Sequence, residues 1–520
     1  MASGTRVDRI GARQLIDRVL DPGSWQCWDR PAEPAPGADP AYLEQLRAAR
    51  AATGLDEAVV TGEGRIEGRR VAVAACEFDF LAGSIGVSAA ERLVACVERA
   101  TSLGLPLLTS PTSGGTRMQE GTVAFVQMVK ISAAIAQHRR AGLPYLVYLR
   151  HPTTGGVLAS WGSLGHVTAA QPGAMIGFLG PRVYQALHGS EFPAGVQTAE
   201  NLYAHGLVDA VVAPEDLRQI AARVLSVLAR DAPPIPSGAA LPALDPAREP
   251  APAWESVTRS RRPDRPGVRA LLKVAATDVT TLTGTGAGEQ DPGLLLALAR
   301  FDGQPCVLLG QDRSRQSRYG PFGPAALRTA RRGMHIAAEL SLPLVTVVDT
   351  AGAALSAAAE QGGLAAEIAR CLAELTMLTA PTCCLLLGQG AGGGALALLP
   401  ADRVVAAEHA WLSPLPPEGA SALLYRTTEQ AARVAADQRV RAVDLLADGL
   451  VDRIVPELPD AAEEAEPFLL RTAAALAAEL AALTGPGAGD TSARLAARAA
   501  RYRALGNSVP AAGPGGDLRP

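Results

Sequence analysis

Hydrophobic residues in the first half of the chain occur in short runs, and each run ends in small or glycine residues before a helical stretch begins. "LGLPLLTSPTSGG" (Leu103–Gly115) precedes the helical "FVQMVKISAAIAQHRR". "AGLPYLVYLR" then leads into "HPTTGGVLAS", which contains the pair Gly155 and Gly156, and "LYAHGLVDAVV" follows later. Strand-length apolar runs that alternate with helices predict βαβ units and a mostly parallel sheet.

The second half repeats this order. "LSLPLVTVVDTAGAA" (Leu340–Ala354) precedes the helical "LAAEIARCLAELTML", and "APTCCLLLGQGAGGGALAL" and "LLADGLVDRIVPE" follow. The distance from Pro106 to Gly156 is 50 positions, and that from Pro343 to Gly394 is 51. The matching order and spacing predict an internal duplication, with two tandem α/β domains.

Proline-rich segments divide the chain. We predict an N-terminal helical arm over 1–50, a first domain over 51–230, a linker over 231–265, a second domain over 266–484 and a flexible tail over 485–520. The basic cluster "RSRRPDRP" (Arg259–Pro266) is expected to be a solvated part of the linker, and the tail is expected to fray.

Composition excludes several classes of protein. The chain has 520 residues, 48% of them hydrophobic, so it can build more than one core. The net charge of −4, with both signs intermixed, argues against nucleic-acid binding. The seven cysteines form no CxxC pair, which favours free thiols in a reducing cytoplasm.

Two segments bear on targeting and membranes. The polar, mixed-charge N-terminus "MASGTRVDRIGARQ" is unlike a signal peptide. The apolar stretch Thr379–Pro400 contains Gln389, five glycines and flanking prolines. We therefore expect it to form a buried strand, a glycine turn and a helix rather than a membrane span.

The paired glycines Gly155 and Gly156 pose a chemical question. Glycines at a helix start expose backbone N–H donors that can face an anion or a developing oxyanion. The alternative is a tight strand-to-helix turn without chemistry. The chain has no GxSxG elbow, no HExxH and no phosphate-binding loop with Lys-Ser/Thr, so the sequence carries none of these nucleophile, metal or nucleotide motifs.

The chain resembles the carboxyltransferase component of biotin-dependent acyl-CoA carboxylases, in particular acetyl-CoA carboxylase, with β-like and α-like halves fused. The first half carries "DPGSW", "FDFLAGSIG", "SGGTRMQEG", "PTTGGVLASW", "IGFLGPRV" and "FPAGVQTAE". The second half is looser, with "YGPFGPAALRTARRGMHIA", "LPLVTVVDTAGA", "GQGAGGGALALLPADRV" and "SPLPPEGASALLY". The resemblance spans roughly residues 55–480.

The resemblance implies a crotonase-like ββα superhelix in each half, with the active site between halves of neighbouring chains of a homo-oligomer. It implies carboxyl transfer from biotin on a separate carrier protein to acetyl-CoA or a related acyl-CoA, forming malonyl-CoA for fatty acid biosynthesis. A biotin carboxylase would be the other partner. In the family, the reaction passes through two enolates, which need oriented N–H donors rather than a nucleophile.

By similarity, backbone N–H groups at Gly155 and Gly156 would stabilise one enolate. Those at Gly393, Gly394 and Ala395 would stabilise the other.

A second set of residues is assigned to substrate binding by the same resemblance. Ser113, Gly114 and Gly115 are expected to bind CoA or the acyl group, the alternative being a cap on the following helix. Arg117 is expected to face the CoA phosphates, which suit a guanidinium, or else to hold Glu120 on the same helix face.

Three further residues are expected to be structural. His166 is interpreted as a structural or surface histidine rather than a general base. Met118 and Met128 are expected to fill the core.

The sequence also departs from the family. The four-cysteine zinc ribbon of many bacterial β subunits is absent, so no structural metal is predicted. Ala351 and Ala354 replace the usual proline and tyrosine after the second-half strand, and Thr329 replaces a common lysine. These changes favour two alternatives to the carboxyltransferase: a catalytically weak paralogue that scaffolds or regulates a carboxylase complex, or another crotonase-like acyl-CoA enzyme such as a decarboxylase.

Overall fold

The computed structural model describes residues 7–33, 38–228, 244, 247–485 and 487–505 of the chain. Two mixed sheets dominate this part of the molecule, and each is preceded and covered by helices.

The first sheet belongs to the first half. Its strands, in spatial order, are β1 (Gln26–Cys27), β2 (Val59–Ile66), β3 (Arg69–Cys76), β4 (Leu107–Ser110), β5 (Tyr145–Leu149), β7 (Val167–Ala170) and β9 (Ala210–Val211). Two short strands, β6 (Thr153–Thr154) and β8 (Ile176–Gly177), pair with each other beside it. The first three strands are antiparallel and the rest are parallel, as the crossover helices between them require.

The second sheet has the same topology. Its strands, in spatial order, are β10 (Thr277–Leu282), β11 (Leu294–Phe301), β12 (Gln304–Gln311), β13 (Leu344–Thr350), β14 (Thr382–Ala391), β15 (Arg403–Ala407) and β17 (Arg453–Val455), and β16 (Trp411–Ser413) pairs with β14. Again two antiparallel pairings precede the parallel ones. The shared strand order supports the predicted duplication.

The helices connect and cover the strands. In the first half they are α1 (Ala12–Val19), α2 (Pro40–Thr53), α3 (Val87–Ser102), α4 (Gly121–Arg140), α5 (Pro181–His188), α6 (Ala199–Ala204) and α7 (Leu217–Leu228). In the second half they are α8 (Ala253–Ser260), α9 (Val268–Ala275), α10 (Arg313–Tyr319), α11 (Pro324–Leu340), α12 (Ala357–Gln361), α13 (Leu364–Met377), α14 (Gly392–Leu396), α15 (Pro417–Tyr425), α16 (Ala431–Asp437), α17 (Ala442–Ala447), α18 (Ala465–Thr484) and α19 (Thr491–Ala504).

The two halves share one apolar core. Leu108 of β4 and Leu309 of β12 belong to the same contiguous cluster of buried side chains. Charged groups also join the halves, since Arg139 of α4 donates to Glu339 of α11 at 3.0 Å and Arg332 donates to Asp209 at 2.9 Å. The halves therefore pack as one body within a chain.

The apolar stretch Thr379–Pro400 folds as predicted, with β14 leading through a glycine turn into α14. Of the described helices, α18 has the length and apolar composition to cross a membrane, but half of its apolar window is buried in the protein. Phe468 and Leu476 of α18 lie in the shared core. This burial is typical of a core helix in a folded domain.

The basic cluster Arg259–Pro266 is not a solvated linker. Ser260 is fully buried, and the Arg265 side chain is fully buried in an ion pair with Glu457, with both N–O distances 2.7 Å. The guanidinium also donates to the carbonyl of Leu387 at 2.9 Å. The prediction failed because clustered charge was interpreted as surface, whereas a carboxylate distant in sequence neutralises it. Residues 231–243 and 245–246 of the predicted linker lie outside the described residues.

The predicted fraying tail is also partly wrong. Helix α19 packs on the second half through Arg498, whose side chain is fully buried. Its guanidinium forms two hydrogen bonds with Asp402, at 2.8 and 2.7 Å, and donates to the carbonyl of Leu375 at the end of α13 at 2.7 Å. Arg501 and Tyr502 add further contacts, with Arg501 donating to Asp452 at 2.7 Å and the Tyr502 hydroxyl accepting from the Ala401 N–H at 2.9 Å. Residues 506–520 lie outside the described residues.

Candidate active site

The first glycine turn lies where the ends of β4 and β5 meet. The loop after β4 runs alongside the loop after β5, with the Ser113 N–H donating to the Pro152 carbonyl at 2.7 Å and the Thr154 N–H donating to the Ser113 carbonyl at 2.9 Å. Gly155 has a φ of +66°, and a Cβ there would lie 3.3 Å from the Cα of Gly115. Glycine is required at Gly155 because two backbones touch.

The N–H groups of this turn differ in availability. Gly155 donates to the carbonyl of Phe178 at 2.9 Å, so this predicted donor is already used. Ala159 donates to Gly155 at 3.1 Å, which closes one helical turn over residues 155–159. Among the described residues, the N–H groups of Gly156, Val157 and Leu158 meet no acceptor, as expected at a helix start. The donors available to a ligand therefore begin at Gly156.

The surroundings of Gly156 are part apolar and part hydroxyl. A Cβ on Gly156 would lie 3.3 Å from the Met128 Cγ and 3.4 Å from the Thr116 Oγ1. The Ser160 hydroxyl donates to the Gly156 carbonyl at 2.5 Å and lies 3.5 Å from the sulfur of Met128. Met128 is buried, as predicted. Met118 is 81% exposed, so its predicted core position is wrong: it lies in the turn before α4, outside the packed face.

The predicted binding loop is folded on itself. The Ser113 hydroxyl is buried and accepts from the Gly115 N–H at 2.9 Å, and the Gly114 N–H donates to the Ala82 carbonyl at 2.8 Å. Helix α4 begins only at Gly121, so Ser113 does not cap it. If this loop contacts a ligand, it does so through its glycine backbone.

Arg117 lies beneath the binding loop rather than on the surface. Its side chain is fully buried and pairs with Glu57 at 2.9 Å, while Glu120 lies 3.5 Å away. It also donates to the Ser84 carbonyl at 2.7 Å and to the Tyr42 hydroxyl at 3.2 Å. This placement does not fit the expectation that Arg117 faces CoA phosphates, and it fits the alternative of a link to Glu120.

His166 is a structural histidine, as the sequence indicated. It is buried between the halves, where its Nδ1 accepts from the Tyr145 N–H at 3.0 Å and its Nε2 lies 3.1 Å from Glu339. Burial lowers the pKa of His166. For Glu339, burial alone would raise the pKa, but the hydrogen bond with His166 and the charge of Arg139 outweigh it and lower the pKa to about 2.

The second glycine turn lies at the corresponding place in the second half, where β14 passes into α14. Gly393, Gly394 and Ala395 form the start of this short helix, which no side chain caps. A Cβ on Gly394 would lie 2.7 Å from the Phe322 Cζ and 3.2 Å from the Ala353 nitrogen. A side chain at position 394 would collide with the Phe322 ring and the loop at Ala353, and this explains the glycine.

Two polar residues that the sequence did not single out hold this second turn. The buried Gln311 amide donates to the Gly394 carbonyl at 2.7 Å and accepts from the Asp349 N–H at 3.1 Å. The Asp349 carboxylate accepts from the Gln389 N–H at 3.1 Å, and burial raises its pKa although Arg313 lies 3.8 Å away. The sequence does carry a signal for Gln311, since it is the polar residue that ends the otherwise apolar run "CVLLGQ".

An open groove of about 1270 Å³ lies beside the second turn. The loop of Ala351, Gly352, Ala353 and Ala354 forms one wall, so the two alanines that depart from the family pattern both line it. Thr329 is buried within α11, where its hydroxyl donates to the Ala325 carbonyl at 3.0 Å, and it does not line the groove.

In the described part of the chain, no three His, Cys, Asp or Glu side chains lie close enough together to hold a metal ion. The seven cysteines are all unpaired, and only Cys27 is exposed.

Comparison with known proteins places these features in a family. A model of the carboxyl transferase domain matches residues 8–484. A Mycobacterium tuberculosis protein named probable biotin-dependent acyl-coenzyme A carboxylase beta3 subunit is 62% identical over 501 residues, covering 96% of this chain and 99% of that protein. A Parafrankia protein named acetyl-coenzyme A carboxylase carboxyl transferase subunits beta/alpha is 38% identical, covering 97% of this chain and 87% of that protein.

Solved structures agree on the fold. Transcarboxylase 12S, described as a hexamer assembly with methylmalonyl-coenzyme A and methylmalonic acid bound, has a TM-score of 0.70 at 22% identity and covers 98% of this chain and 92% of that chain. A single-chain long-chain acyl-CoA carboxylase has a TM-score of 0.68 at 21% identity, covering 89% of this chain and 46% of that chain. The expected class, α/β with two tandem crotonase-like domains, is confirmed.

Proposed function

The chain belongs to the carboxyltransferases of biotin-dependent acyl-CoA carboxylases, and we propose that it carboxylates acetyl-CoA, or a related acyl-CoA, to malonyl-CoA or a longer-chain analogue. One observation carries the proposal. In each half, a parallel strand is followed by a glycine turn, and that glycine turn starts a helical turn that no side chain caps. Backbone donors at such a place stabilise a developing oxyanion without any nucleophile.

The proposed roles follow the two turns. The Gly156 N–H, with Val157 and Leu158 behind it, would bind the thioester oxygen as it gains negative charge. Gly155 would act indirectly, because its N–H is bonded to Phe178 and so fixes the turn. The turn of Gly393, Gly394 and Ala395 would serve the biotin side.

Biotin on a separate carrier protein would supply the carboxyl group when it is bound, and the second half fits it. The groove of about 1270 Å³ is large enough for a small bicyclic urea, and Ala351 and Ala353 leave its wall free of bulky side chains. The methyl of Ala353 lies 3.2 Å from the Cβ position of Gly394, so this wall adjoins the second turn. Gln389 adds an amide to the same groove.

A homo-oligomer would bring the two kinds of turn together. Helix α4 exposes Val123, Val126 and Val129, which are 61%, 52% and 68% exposed. Beyond the second turn, α15 exposes Leu423 and Leu424, at 67% and 60%. Apolar faces of this kind mark interaction surfaces. We propose that a second copy covers them; transcarboxylase 12S, which has a similar fold, is itself described as a hexamer assembly.

The partners would be a biotin carrier protein and a biotin carboxylase, and the product would supply fatty acid biosynthesis. Support comes from the subunit names of the relatives, which describe one component of a larger carboxylase.

The test is malonyl-CoA-dependent carboxylation of free biocytin by the purified chain, the reverse half-reaction, with methylmalonyl-CoA run alongside. Turnover establishes carboxyl transfer, and the ratio of the two rates assigns the acyl group. Loss of CO2 from malonyl-CoA without biocytin would instead support a decarboxylase. A folded oligomer that turns over neither compound but binds carrier protein would support the weak paralogue, which the alanines of the 351–354 loop favour. Sedimentation that shows an active monomer would contradict the shared site.

A further inference from the structure

A buried polar cluster lies under the first glycine turn, and the proposed chemistry does not use it. It consists of Tyr42, Glu57, Ser84, Arg117 and Glu120, which we call the Arg117 cluster. The side chains of Glu57 and Arg117 are 3% and 0% exposed, and Tyr42, Ser84 and Glu120 are nearly as enclosed. Tyr42 comes from α2 of the N-terminal arm, whereas Arg117 follows the binding loop directly.

Every polar side chain in the Arg117 cluster has a hydrogen-bond partner. Arg117 forms two hydrogen bonds with Glu57, one of them 2.9 Å, and donates to the Ser84 carbonyl at 2.7 Å. The Tyr42 hydroxyl accepts from Arg117 at 3.2 Å and donates to Glu120. Burial, then the hydrogen bond to Glu120, raises the pKa of Tyr42 to about 12, so the hydroxyl keeps its proton. The cluster is therefore rigid and fully satisfied.

The cluster is tied to the binding loop by backbone contacts. The Arg117 N–H donates to the Ile85 carbonyl and the Ile85 N–H donates to the Gly115 carbonyl, both at 3.0 Å. A Cβ on Gly83 would lie only 2.2 Å from the Thr112 carbonyl oxygen. The segment of residues 80–86 and the binding loop are thus in direct backbone contact, and the Arg117 guanidinium joins both to α2 and Glu57.

Stability alone does not account for such an arrangement. A buried ion pair costs desolvation that apolar residues of similar volume would avoid, so the pair is weak support for a purely stabilising role. A bidentate guanidinium does fix the direction of the chain that carries it. Here that chain is the loop whose Gly115 touches Gly155, next to the free N–H of Gly156.

We propose that Arg117 is a positioning residue for the acyl-CoA thioester: held by Glu57 and by Tyr42 of α2, it fixes the Ser113–Gly115 loop against the first glycine turn. The inference rests on the proposed function, since it assigns the acyl-CoA side to this turn. It makes the N-terminal arm a determinant of acyl-CoA affinity, although none of the described residues of the arm forms a hydrogen bond with the turn itself.

The experiment compares Arg117→Lys, Tyr42→Phe and the control Arg498→Lys in the full chain. Arg498 is another fully buried arginine, paired with Asp402 at 2.7 Å and donating to the Leu375 carbonyl at 2.7 Å, and it belongs to α19 of the second half. Each variant is assayed by biocytin carboxylation with malonyl-CoA, with separate KM values for malonyl-CoA and biocytin, and by its Tm.

We expect Arg117→Lys to raise the KM for malonyl-CoA roughly tenfold, because a bidentate charged contact is lost. Tyr42→Phe removes one hydroxyl from an intact fold and is expected to raise that KM roughly threefold. The KM for biocytin should stay within about twofold in both variants, because the other half binds it. Arg498→Lys should lower Tm without changing either KM.

If Arg117→Lys and Tyr42→Phe lower Tm but leave the KM for malonyl-CoA unchanged, as in the control, the positioning role is refuted. Calorimetric binding of acetyl-CoA, which needs no turnover, separates this result from failure of the proposed function. A wild-type chain that binds acetyl-CoA but does not carboxylate biocytin contradicts the proposed function, and weaker binding by the two variants would still support positioning. A wild-type chain that does not bind acetyl-CoA contradicts both.

Discussion

The second glycine turn offers the sharpest test of the proposed site. Gly394→Ala adds one methyl group at a place where the backbone does not require a positive φ, so the strain comes from the neighbours alone. The new Cβ would lie 2.7 Å from the Phe322 Cζ and 3.2 Å from both the nitrogen and the Cβ of Ala353. Either the ring, the loop or the turn must move.

The size of the effect follows from these distances. An ordinary carbon–carbon contact begins near 3.5 Å, so the pair with Phe322 must separate by about 0.8 Å. Overpacking of this kind costs about 1–3 kcal/mol of stability. A displacement of about 1 Å in a site that works by orientation costs roughly 100-fold in rate. We expect kcat for biocytin carboxylation to fall by about that factor while the chain remains folded.

The assay measures kcat with malonyl-CoA and biocytin, together with Tm and oligomeric state. Gly487→Ala is the matched control, since no atom lies within 4 Å of its Cβ position, and it should behave as wild type. Adding Phe322→Leu to Gly394→Ala removes the closest atom and should restore part of the rate. A Gly394→Ala enzyme that keeps its kcat within about twofold of wild type would refute the assignment of this turn to catalysis.

Three further predictions concern stability. Acidification should destabilise the chain, because the pKa values of His166 and Glu339 are both lower in the folded state than in the unfolded state. The contribution of His166 to the free energy of unfolding is lost as the pH falls below about 6.5, and that of Glu339 is lost between about pH 4.5 and 2. Urea midpoints should therefore fall with pH, and Glu339→Gln should flatten the lower part of that curve. Arg498→Ala removes the two shortest charged contacts of the buried Asp402 side chain, leaving it Thr382 and an Arg494 nitrogen 3.7 Å away, and should cost about 3 kcal/mol in urea unfolding, against little change for Arg433→Ala, whose ion pair with Asp437 is mostly exposed. Gly155→Ala, at a φ of +66°, should lower Tm more than Gly156→Ala, and equal Tm values would contradict the backbone argument.

The fold was predictable because its signals are periodic and local. Strands β5 and β14 are apolar runs with glycine turns after them, and helices α4 and α13 stand at the same place in the order of elements of the two halves. The linker and tail predictions failed for a different reason. Arg265 and Arg498 look like surface charges in the sequence, and their partners Glu457 and Asp402 are 192 and 96 residues away. No local sequence pattern predicts ion pairs between residues so far apart in the chain.

The site was predictable in part. The glycines could be found because backbone chemistry needs the absence of a side chain, which a sequence displays directly. Which of these N–H groups is free could not be predicted, since the Gly155 N–H donates to the carbonyl of Phe178, which the fold brings near directly after β8. The sequence leaves Arg117 between CoA phosphates, which suit its chemistry, and a link to Glu120, which suits its spacing. Its burial depends on Glu57, which carries no motif of its own.

The two glycine turns are built by different local means. At Gly155, glycine is required because φ is positive and because the backbone of Gly115 lies in direct contact with that of Gly155. At Gly394 the φ is ordinary, and glycine is demanded by the ring of Phe322 and the loop at Ala353. The first turn is therefore fixed by its own fold, whereas the second depends on the 351–354 loop. Substitution at Ala351 or Ala354 should thus alter the second turn while leaving the first intact.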